Sequence, residues 1–515
     1  MSRVAARRAL PALTFLLLAT PAAAQQVLTE RLDLAALAKI RAEATERSQI
    51  DSLAGYLTDV IGPRLTGSPA MDRANEWAVA TFTKWGLSGA RTEAWDSAFG
   101  RGWERVSYSG RFLEPFVQPL NATSQAWSGS TKGTITCRVV AMEVKDTAEL
   151  AQWRGKLKGA CVLRNPPADI PPEYQPAQRR LDADSLLAPV PERPAGPGQR
   201  DPDQMARFRQ MQAVNQAVGA FLRGEQPAAL LLPSGWTYNI LRTGGHPDGR
   251  LARDSVYNPT PALLVSHEHY GQMWRNAKRG VPVRLELNVQ NRFHDADRTE
   301  RNAFAEIPGT DKAGEVVMIG AHFDSWHSGT GATDNGAGSV IMMEAMRILK
   351  ATGLPMRRTV RIGLWSGEEQ GLIGSRSWVR AHRAELDKVS AYLNVDNGAG
   401  RLRGIWTQSN AAAGPVFEAI FSPLAELGVV AVRHGNTGGT DHLAFDAAGV
   451  PGFNYIQDPL EYGIRTHHSN ADTYERFVMD DLKQAATVVA WTVYTLANRE
   501  DMMPRKPAGE QATAR

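Results

Sequence analysis

Histidine and carboxylate side chains recur in this sequence close to the ends of short apolar runs that are typical of strands. Three such runs lie at 316–320, 359–365 and 391–395. The polar residues near their ends, with two more from a Gly-rich and a Ser-Asn segment, are His322, Asp324, Asp334, Glu368, Glu369, Asp396 and His468. Because sites in α/β sheets form beyond the carboxyl ends of the strands, we expect these side chains to lie close together.

This mixture of side chains is suited to a metal centre. Taken singly, Asp334 could be a helix cap and the pair Glu368-Glu369 a solvated surface. The pair follows an apolar run that implies burial, however, and a buried carboxylate needs a compensating cation. Two imidazoles and three carboxylates are ligands that zinc accepts without a thiolate. The residues predicted to bind metal are His322, Asp334, Glu369, Asp396 and His468.

Such a ligand set predicts hydrolytic chemistry with two zinc ions. A single carboxylate can bridge two ions about 3.5–4 Å apart. Two ions would lower the pKa of a water molecule that they share and would polarise the carbonyl of a scissile peptide bond. A glutamate that is not a ligand would then take the proton of that water.

The elements that must position these residues follow an alternating pattern. From about 296 onward, strand-like runs alternate with amphipathic segments, which predicts an α/β domain with a mainly parallel sheet and helices on both faces. Between about 105 and 290 the pattern changes to short β-type runs separated by Gly, Asn and Pro. The predicted boundaries are a signal peptide at 1–24, the first part of the catalytic domain at 25–105, an inserted mostly-β domain at 106–292, the catalytic domain proper at 293–498 and a flexible tail at 499–515.

The N-terminus and the overall composition indicate an exported globular protein. Arg3, Arg7 and Arg8 precede an apolar run at 9–18, and small residues follow as far as Ala24. This pattern predicts a secretory signal peptide cleaved near Ala24, and hence a periplasmic or extracellular protein. The apolar run is too short to span a membrane comfortably, so no stable membrane insertion is expected. Of 515 residues, 43% are hydrophobic and 22% charged, and the net charge of +4 is not gathered into a basic arm, which argues against nucleic-acid binding.

Cys137 and Cys161 are the only cysteines in the sequence. Both lie in strand-like runs of the predicted inserted domain. An oxidising compartment would allow them to form a disulfide, and two buried thiols are the alternative.

The motifs around the predicted ligands resemble those of the co-catalytic zinc exopeptidases, the family of the bacterial leucyl aminopeptidases, carboxypeptidase Q and glutamate carboxypeptidase. Five motifs occur in the order of that family, and they are His322-x-Asp324, Thr333-Asp334-Asn335-Gly336, Gly367-Glu368-Glu369, Asn394-Val395-Asp396 and His468-Ser469-x-x-Asp472-Thr473. The segment 321–339 is most similar to the carboxypeptidase Q branch. The middle region resembles a protease-associated domain inserted into the peptidase.

The resemblance implies a role for each of these residues. His322 and Asp396 would complete one zinc site, Glu369 and His468 the other, and Asp334 would bridge them. It further implies that Glu368 is the general base and later the proton donor to the leaving amine. Asp324 would orient His322 and fix its tautomer with a carboxylate that does not itself bind metal, and the peptide bond after Asp334 would be cis. His327 and His467 stand at positions that vary within the family, so they leave the substrate preference open.

The expected substrates are short peptides, cleaved at one end. An aminopeptidase or a dipeptidase is favoured, with a carboxypeptidase as the alternative, and Tyr462, Arg465 and His442 are candidate substrate-binding residues. A receptor or scaffold of the same architecture would lack an intact ligand set. An acyltransferase similar to glutaminyl cyclase would bind one zinc ion instead of two. The sequence gives no indication of the oligomeric state.

Overall fold

The computed structural model of this protein describes residues 30–172, 174, 180–188, 202–247, 253 and 259–507. The predicted signal peptide, 1–24, therefore lies outside the described residues. Within them, eleven α-helices and sixteen strands are present, and the strands form two eight-stranded sheets.

The helices are α1 Leu34–Glu46, α2 Ile50–Gly55, α3 Pro69–Lys84, α4 Ala183–Leu187, α5 Pro202–Glu225, α6 His267–Lys278, α7 Ala337–Thr352, α8 Ile373–Ala381, α9 Gly414–Phe421, α10 His442–Ala447 and α11 Met479–Asn498. The strands are β1 Ser88–Ala94, β2 Gly102–Glu114, β3 Gln118–Pro119, β4 Ala122–Ser124, β5 Ile135–Met142, β6 Cys161–Arg164, β7 Ala229–Pro233, β8 Ala262–Val265, β9 Arg284–His294, β10 Arg301–Ile307, β11 Lys312–His322, β12 Arg358–Trp365, β13 Val389–Asn394, β14 Leu402–Trp406, β15 Ala431–Arg433 and β16 Gly452–Gln457. Among the helices of the described residues, none has the length and apolar character needed to cross a membrane.

The first sheet has the strand order β1-β10-β12-β11-β13-β16-β14-β15. Its four central strands, β12, β11, β13 and β16, run parallel, while β1, β10 and β14 each pair antiparallel with a neighbour. His322 at the end of β11 lies opposite Trp365 at the end of β12. The predicted α/β class, with a mainly parallel sheet, is confirmed, and the central strands end together at one edge.

Alternate residues of the central strands pack into two separate cores. Val317, Ile319 and Ala321 of β11 join a large core with the apolar faces of α7 and α11. Val316 and Met318 face the opposite side and pack with residues of α8 and α10. Side chains alternate across a strand, so a strand that is apolar along its length must be covered on both faces. Burial on both faces holds the strand ends, and the residues that follow them, in fixed positions.

The second sheet is built from strands that lie between Gly102 and His294 in the sequence. Its order is β3-β2-β9-β5-β6-β7-β8-β4, with β5, β6, β7 and β8 parallel and the other pairs antiparallel. Cys137 and Cys161, on the adjacent strands β5 and β6, form a disulfide bond inside the apolar core of this sheet.

The described part of the predicted flexible tail, 499–507, is packed against the catalytic half of the molecule. Met503 is buried, the Arg505 guanidinium donates to four backbone carbonyls, and Lys506 forms an ion pair with Asp446. This part differs from the expected fraying, because its apolar and cationic side chains find partners that lie far away in the sequence.

Candidate metal centre

Three adjacent parallel strands deliver most of the predicted site residues. His322 is the last residue of β11, Glu368 and Glu369 follow β12, and Asp396 lies two residues after β13. Because these strands are neighbours in the order β12-β11-β13, their carboxyl ends meet at one edge of the sheet. The side chains therefore converge on one place, as the sequence predicted.

Two glycines allow the backbone to approach closely at this edge. Gly367 has a φ of +69°, and a Cβ there would lie 2.3 Å from the ring of Trp95. A Cβ on Gly338 would lie 2.3 Å from the carbonyl oxygen of Val395. Only glycine fits these positions without movement of the neighbouring chain.

Asp334 lies in the short helical turn Ala332–Gly336, between β11 and α7. Its peptide bond to Asn335 is cis, which confirms what the resemblance implied. The buried carboxylate of Asp472 holds this turn, since it accepts the N–H of Thr333 at 2.6 Å and the N–H of Asp334 at 3.1 Å. The position of Asp334 thus depends on a residue from the loop that carries the site histidines.

The two carboxylate oxygens of Asp334 face two separate groups of side chains. His322 Nε2 lies 3.2 Å from Asp334 Oδ1 and 3.5 Å from Asp396 Oδ1. His468 Nε2 lies 3.2 Å from Asp334 Oδ2 and 2.8 Å from Glu369 Oε2. Two clusters therefore share one carboxylate, which is the geometry of a site that can bind two cations.

His467 also reaches the second cluster, with its Nε2 3.7 Å from Asp334 Oδ2. By ligand-atom distances alone, Asp334, His467 and His468 could hold a metal ion, as could His322, Asp334 and Asp396. The guanidinium of Arg242 lies 3.0 Å from His467 Nδ1. Because arginine can only donate, Nδ1 must accept and Nε2 must carry the hydrogen. This hydrogen bond leaves His467 without a free lone pair for a metal and favours Glu369 with His468.

The buried oxygen and nitrogen atoms of this cluster are suited to zinc. Among the described residues, Asp334 Oδ2, Glu369 Oε1 and Asp396 Oδ1 are buried oxygens without a hydrogen-bond partner. Buried acceptors of this kind are costly unless a cation or a donor satisfies them. Histidine nitrogens and carboxylate oxygens are ligands of zinc. The cluster is closed on the side of His322, which is 1% exposed, and open on the side of His468, which is 24% exposed.

The buried carboxylates of the cluster act on one another electrostatically. Burial raises the pKa of Glu368 well above its ordinary value, and the nearby carboxylates of Asp396, Asp441 and Glu369 raise it further, against the opposing effect of a histidine. Burial and the neighbouring carboxylate of Asp334 likewise raise the pKa of Glu369. Bound cations would reverse these shifts, because a positive ion stabilises the ionised carboxylate.

Asp324 is fully buried beneath this cluster. Its carboxylate accepts the hydroxyl of Thr66 at 2.8 Å and the backbone N–H groups of Glu368 and Glu369 at 3.2 and 3.3 Å. The nearest partner of His322 Nδ1 is the backbone carbonyl of Asp324 at 3.0 Å, while the carboxylate is 3.5 Å away. Asp324 is thus positioned to orient His322 through its main chain and the glutamate pair through its side chain.

The three candidate substrate-binding residues have different surroundings. The Tyr462 hydroxyl donates to Asp334 Oδ1 at 3.1 Å, so this side chain contacts the cluster. Arg465 is exposed and pairs with Glu461 at 2.7 Å. His442 is fully buried, and burial lowers its pKa to about 4. The burial of His442, at the start of α10, favours a packing role over contact with substrate.

Sequence reasoning missed two residues that support the site. Arg64 is fully buried and donates to the carbonyls of Phe323, Gly62, Thr330 and Gly331, and so it ties the loop after β11 to the N-terminal segment. Arg242, from the second sheet's half of the chain, touches His467. Neither arginine lies near one of the five motifs. The one signal in the sequence is Gly62-Pro63, which precedes Arg64 and indicates a loop there.

Comparisons with known proteins agree with this geometry. Residues 302–493 match the model of peptidase family M28. Carboxypeptidase Q of Mus musculus is 29% identical over 455 residues, covering 88% of this chain and 86% of the relative. Carboxypeptidase Q of Homo sapiens is 28% identical over 457 residues, covering 87% of this chain and 85% of the relative.

Solved structures show the same fold. The crystal structure of a peptidase M28 precursor from Shewanella amazonensis is 25% identical, with a TM-score of 0.67, and the match covers 92% of this chain and 98% of that one. A zinc aminopeptidase from Bacillus subtilis is 17% identical, with a TM-score of 0.55 and coverage of 88% and 95%. The chain is therefore a zinc metallopeptidase, similar to peptidase family M28 over residues 302–493 and to the co-catalytic zinc exopeptidases over most of its length.

Proposed function

We propose that this protein is an exported exopeptidase that binds two zinc ions and hydrolyses peptide bonds at the ends of short peptides, as an aminopeptidase or a dipeptidase. The observation that carries the proposal is the sharing of Asp334 between two clusters, one with His322 and Asp396 and the other with His468 and Glu369. In this proposal these five residues hold the ions. Zinc, when bound there, supplies a Lewis acid and makes a water molecule more acidic.

Glu368 is the general base in this proposal. It is 8% exposed, and its main chain is fixed by the hydrogen bond from its N–H to Asp324. Its carboxylate takes the proton of the attacking water and then delivers it to the nitrogen of the leaving amine. Since the carboxylate serves both steps, the side chain must lie within hydrogen-bond reach of the water and of the leaving nitrogen. The Tyr462 hydroxyl keeps Asp334 oriented during these steps.

The preference for the amino end rests on the charge of the site wall. A free α-amine requires acidic partners, and Glu368 and Asp441 add two carboxylates close to the five ligands. A carboxypeptidase acting on longer peptides would instead need a cation for the terminal carboxylate. It remains the second candidate, because the curated relatives are named carboxypeptidase Q.

Export is supported by the disulfide between Cys137 and Cys161, since such bonds persist in oxidising compartments. The same proposal assigns residues 1–24 to a signal peptide and 106–292 to a protease-associated domain.

The function is tested with purified mature protein loaded with zinc. Hydrolysis of aminoacyl p-nitroanilides, dipeptides and N-blocked dipeptides is measured with and without a chelator, and zinc content is determined by mass spectrometry. We expect chelator-sensitive release of N-terminal residues, two zinc ions per chain and no hydrolysis of the N-blocked peptides.

The matched variant is Glu368→Gln, which should retain both zinc ions and lose at least about 100-fold in kcat. A zinc-loaded protein that cleaves none of these substrates would refute the proposal. Cleavage of the N-blocked peptides alone would favour the carboxypeptidase.

A further inference from the structure

A cavity of about 230 Å³ lies between the second sheet and the N-terminal segment of the catalytic half. Its apolar wall contains Ile61, Leu65 and Trp103, and none of the five predicted metal ligands lines it. A water molecule takes about 30 Å³ of the liquid, so the cavity has room for about eight non-hydrogen atoms. It can therefore hold a molecule of the size of one small residue.

Strand β2 turns one cation towards this cavity. Trp103 and Arg105 are two residues apart in a regular part of the strand, so their side chains lie on the same face. Trp103 on that face is fully buried. Glu104 lies on the other face, where its carboxylate pairs with Arg292 at 3.3 Å. The cavity therefore receives the guanidinium of Arg105 without the neighbouring carboxylate.

The positive charge at the cavity has no acidic partner in the part of the chain that the structure describes. The Arg105 guanidinium donates to the hydroxyl of Thr123 at 2.5 Å and forms no ion pair there. Arg73, near the start of α3, also lines the cavity and pairs with no carboxylate among the described residues. A guanidinium of this kind can bind an anionic ligand through its remaining N–H groups.

His327 brings an unsatisfied acceptor to the same cavity. Its ring packs edge-on against Trp103, with 4.9 Å between the ring centroids, and the residue is 5% exposed. His327 Nε2 lies 2.7 Å from the carbonyl of Ser124, and because a carbonyl can only accept, Nε2 carries the hydrogen. Nδ1 then offers a lone pair, and it is buried without a hydrogen-bond partner among the described residues. Burial and the charge of Arg105 lower the pKa of His327 to about 3, so the ring stays neutral.

We propose that this cavity binds a small branched-chain 2-hydroxy carboxylic acid. The carboxylate lies on Arg105, the hydroxyl donates to His327 Nδ1, and the alkyl group packs against Ile61, Leu65 and Trp103. The three parts of such a molecule match the cation, the free acceptor and the apolar wall. An α-amino acid fits less well, because its ammonium group would lie beside a guanidinium. This site is separate from the metal centre, and the inference does not depend on the proposed exopeptidase function.

The test is isothermal titration calorimetry of the zinc-loaded protein with three probes. They are 2-hydroxy-3-methylbutanoate, 3-methylbutanoate, which lacks the hydroxyl, and 2-hydroxy-3-methylbutanamide, which lacks the charge. We expect the hydroxy acid to bind about 10- to 150-fold more tightly than its amide and about 2- to 10-fold more tightly than 3-methylbutanoate. Arg105→Met should abolish the first preference and His327→Phe the second. Each preference is a ratio of Kd values within one variant, so a loss of folded protein cancels.

A cavity-filling variant shows where the probe binds. Ala70→Leu enlarges a residue of the cavity wall and should weaken binding of the hydroxy acid about 5- to 150-fold. Ala80→Leu, at an exposed position of the same helix, is the matched control and should bind as the wild type does. A 2-hydroxy acid can also bind zinc, so unchanged binding in Ala70→Leu would place it at the metal ions and overturn the proposal. No binding to the wild type would overturn it as well, and so would preferences that persist in Arg105→Met and His327→Phe.

Discussion

Replacing Asp472 with asparagine is expected to weaken zinc binding about 10- to 100-fold while the protein still folds. Asp472 is 2% exposed, and its two oxygens accept the N–H groups of Thr333 and Asp334. Asparagine has one acceptor oxygen, so its amide NH2 would face one of these N–H groups. A buried, unpaired N–H costs about 1–3 kcal/mol, which corresponds to roughly 5- to 150-fold in an equilibrium constant. The loss of residues that orient metal ligands costs a similar ~10- to 100-fold in metal affinity.

Zinc affinity is measured by competition with a chromogenic chelator at fixed pH and salt. Asp458→Asn is the matched control, because Asp458 is also fully buried, accepts a backbone N–H from Leu181 at 2.9 Å and pairs with Arg403 at 3.1 Å. Asp458 has no contact with the turn that carries Asp334, so its variant should lose stability and keep the wild-type zinc affinity. The reasoning is refuted if both variants bind zinc equally well, or if Asp472→Asn binds it within twofold of the wild type.

Three further perturbations follow from contacts outside the ligand set. Arg64→Leu should lower the free energy of unfolding by about 3 kcal/mol or more, seen in urea titration, because three buried carbonyls and one partly buried carbonyl lose their donor. Burial raises the pKa of Glu300 to about 8, so the folded state keeps a proton that the unfolded state loses above about pH 4.5. The free energy of unfolding should therefore fall by up to about 1.4 kcal/mol per pH unit as the pH rises from about 4.5 to 8. Glu300→Gln should reduce this dependence on pH, as measured by thermal melts. Reducing the bond between Cys137 and Cys161, which are separated by 24 residues, should cost about 3 kcal/mol in the same titration, and Cys161→Ser should make the protein insensitive to reductant.

The sequence alone predicted the class of fold and the type of chemistry at the site. Apolar runs that are followed by His or carboxylate residues predict both the parallel strands and the edge where they end, because one local pattern determines strand, burial and exit point together. His322 after 316–320 and Asp396 after 391–395 illustrate this: the run and the polar residue adjoin, so no long-range information is needed. The ligand types likewise predict zinc without reference to distance.

The tertiary structure decided which residues hold the ligands in place and which side of the centre is open. Asp472 supports Asp334 from 138 residues away, and Arg242 reaches His467 across 225 residues. Neither partnership leaves a local pattern, because a buried hydrogen bond depends only on where the folded chain brings two atoms together. The same reason explains the packed residues 499–507, whose polar composition predicted a flexible tail. Local order along the chain thus determined the type of site, while contacts between distant segments determined its geometry and its access.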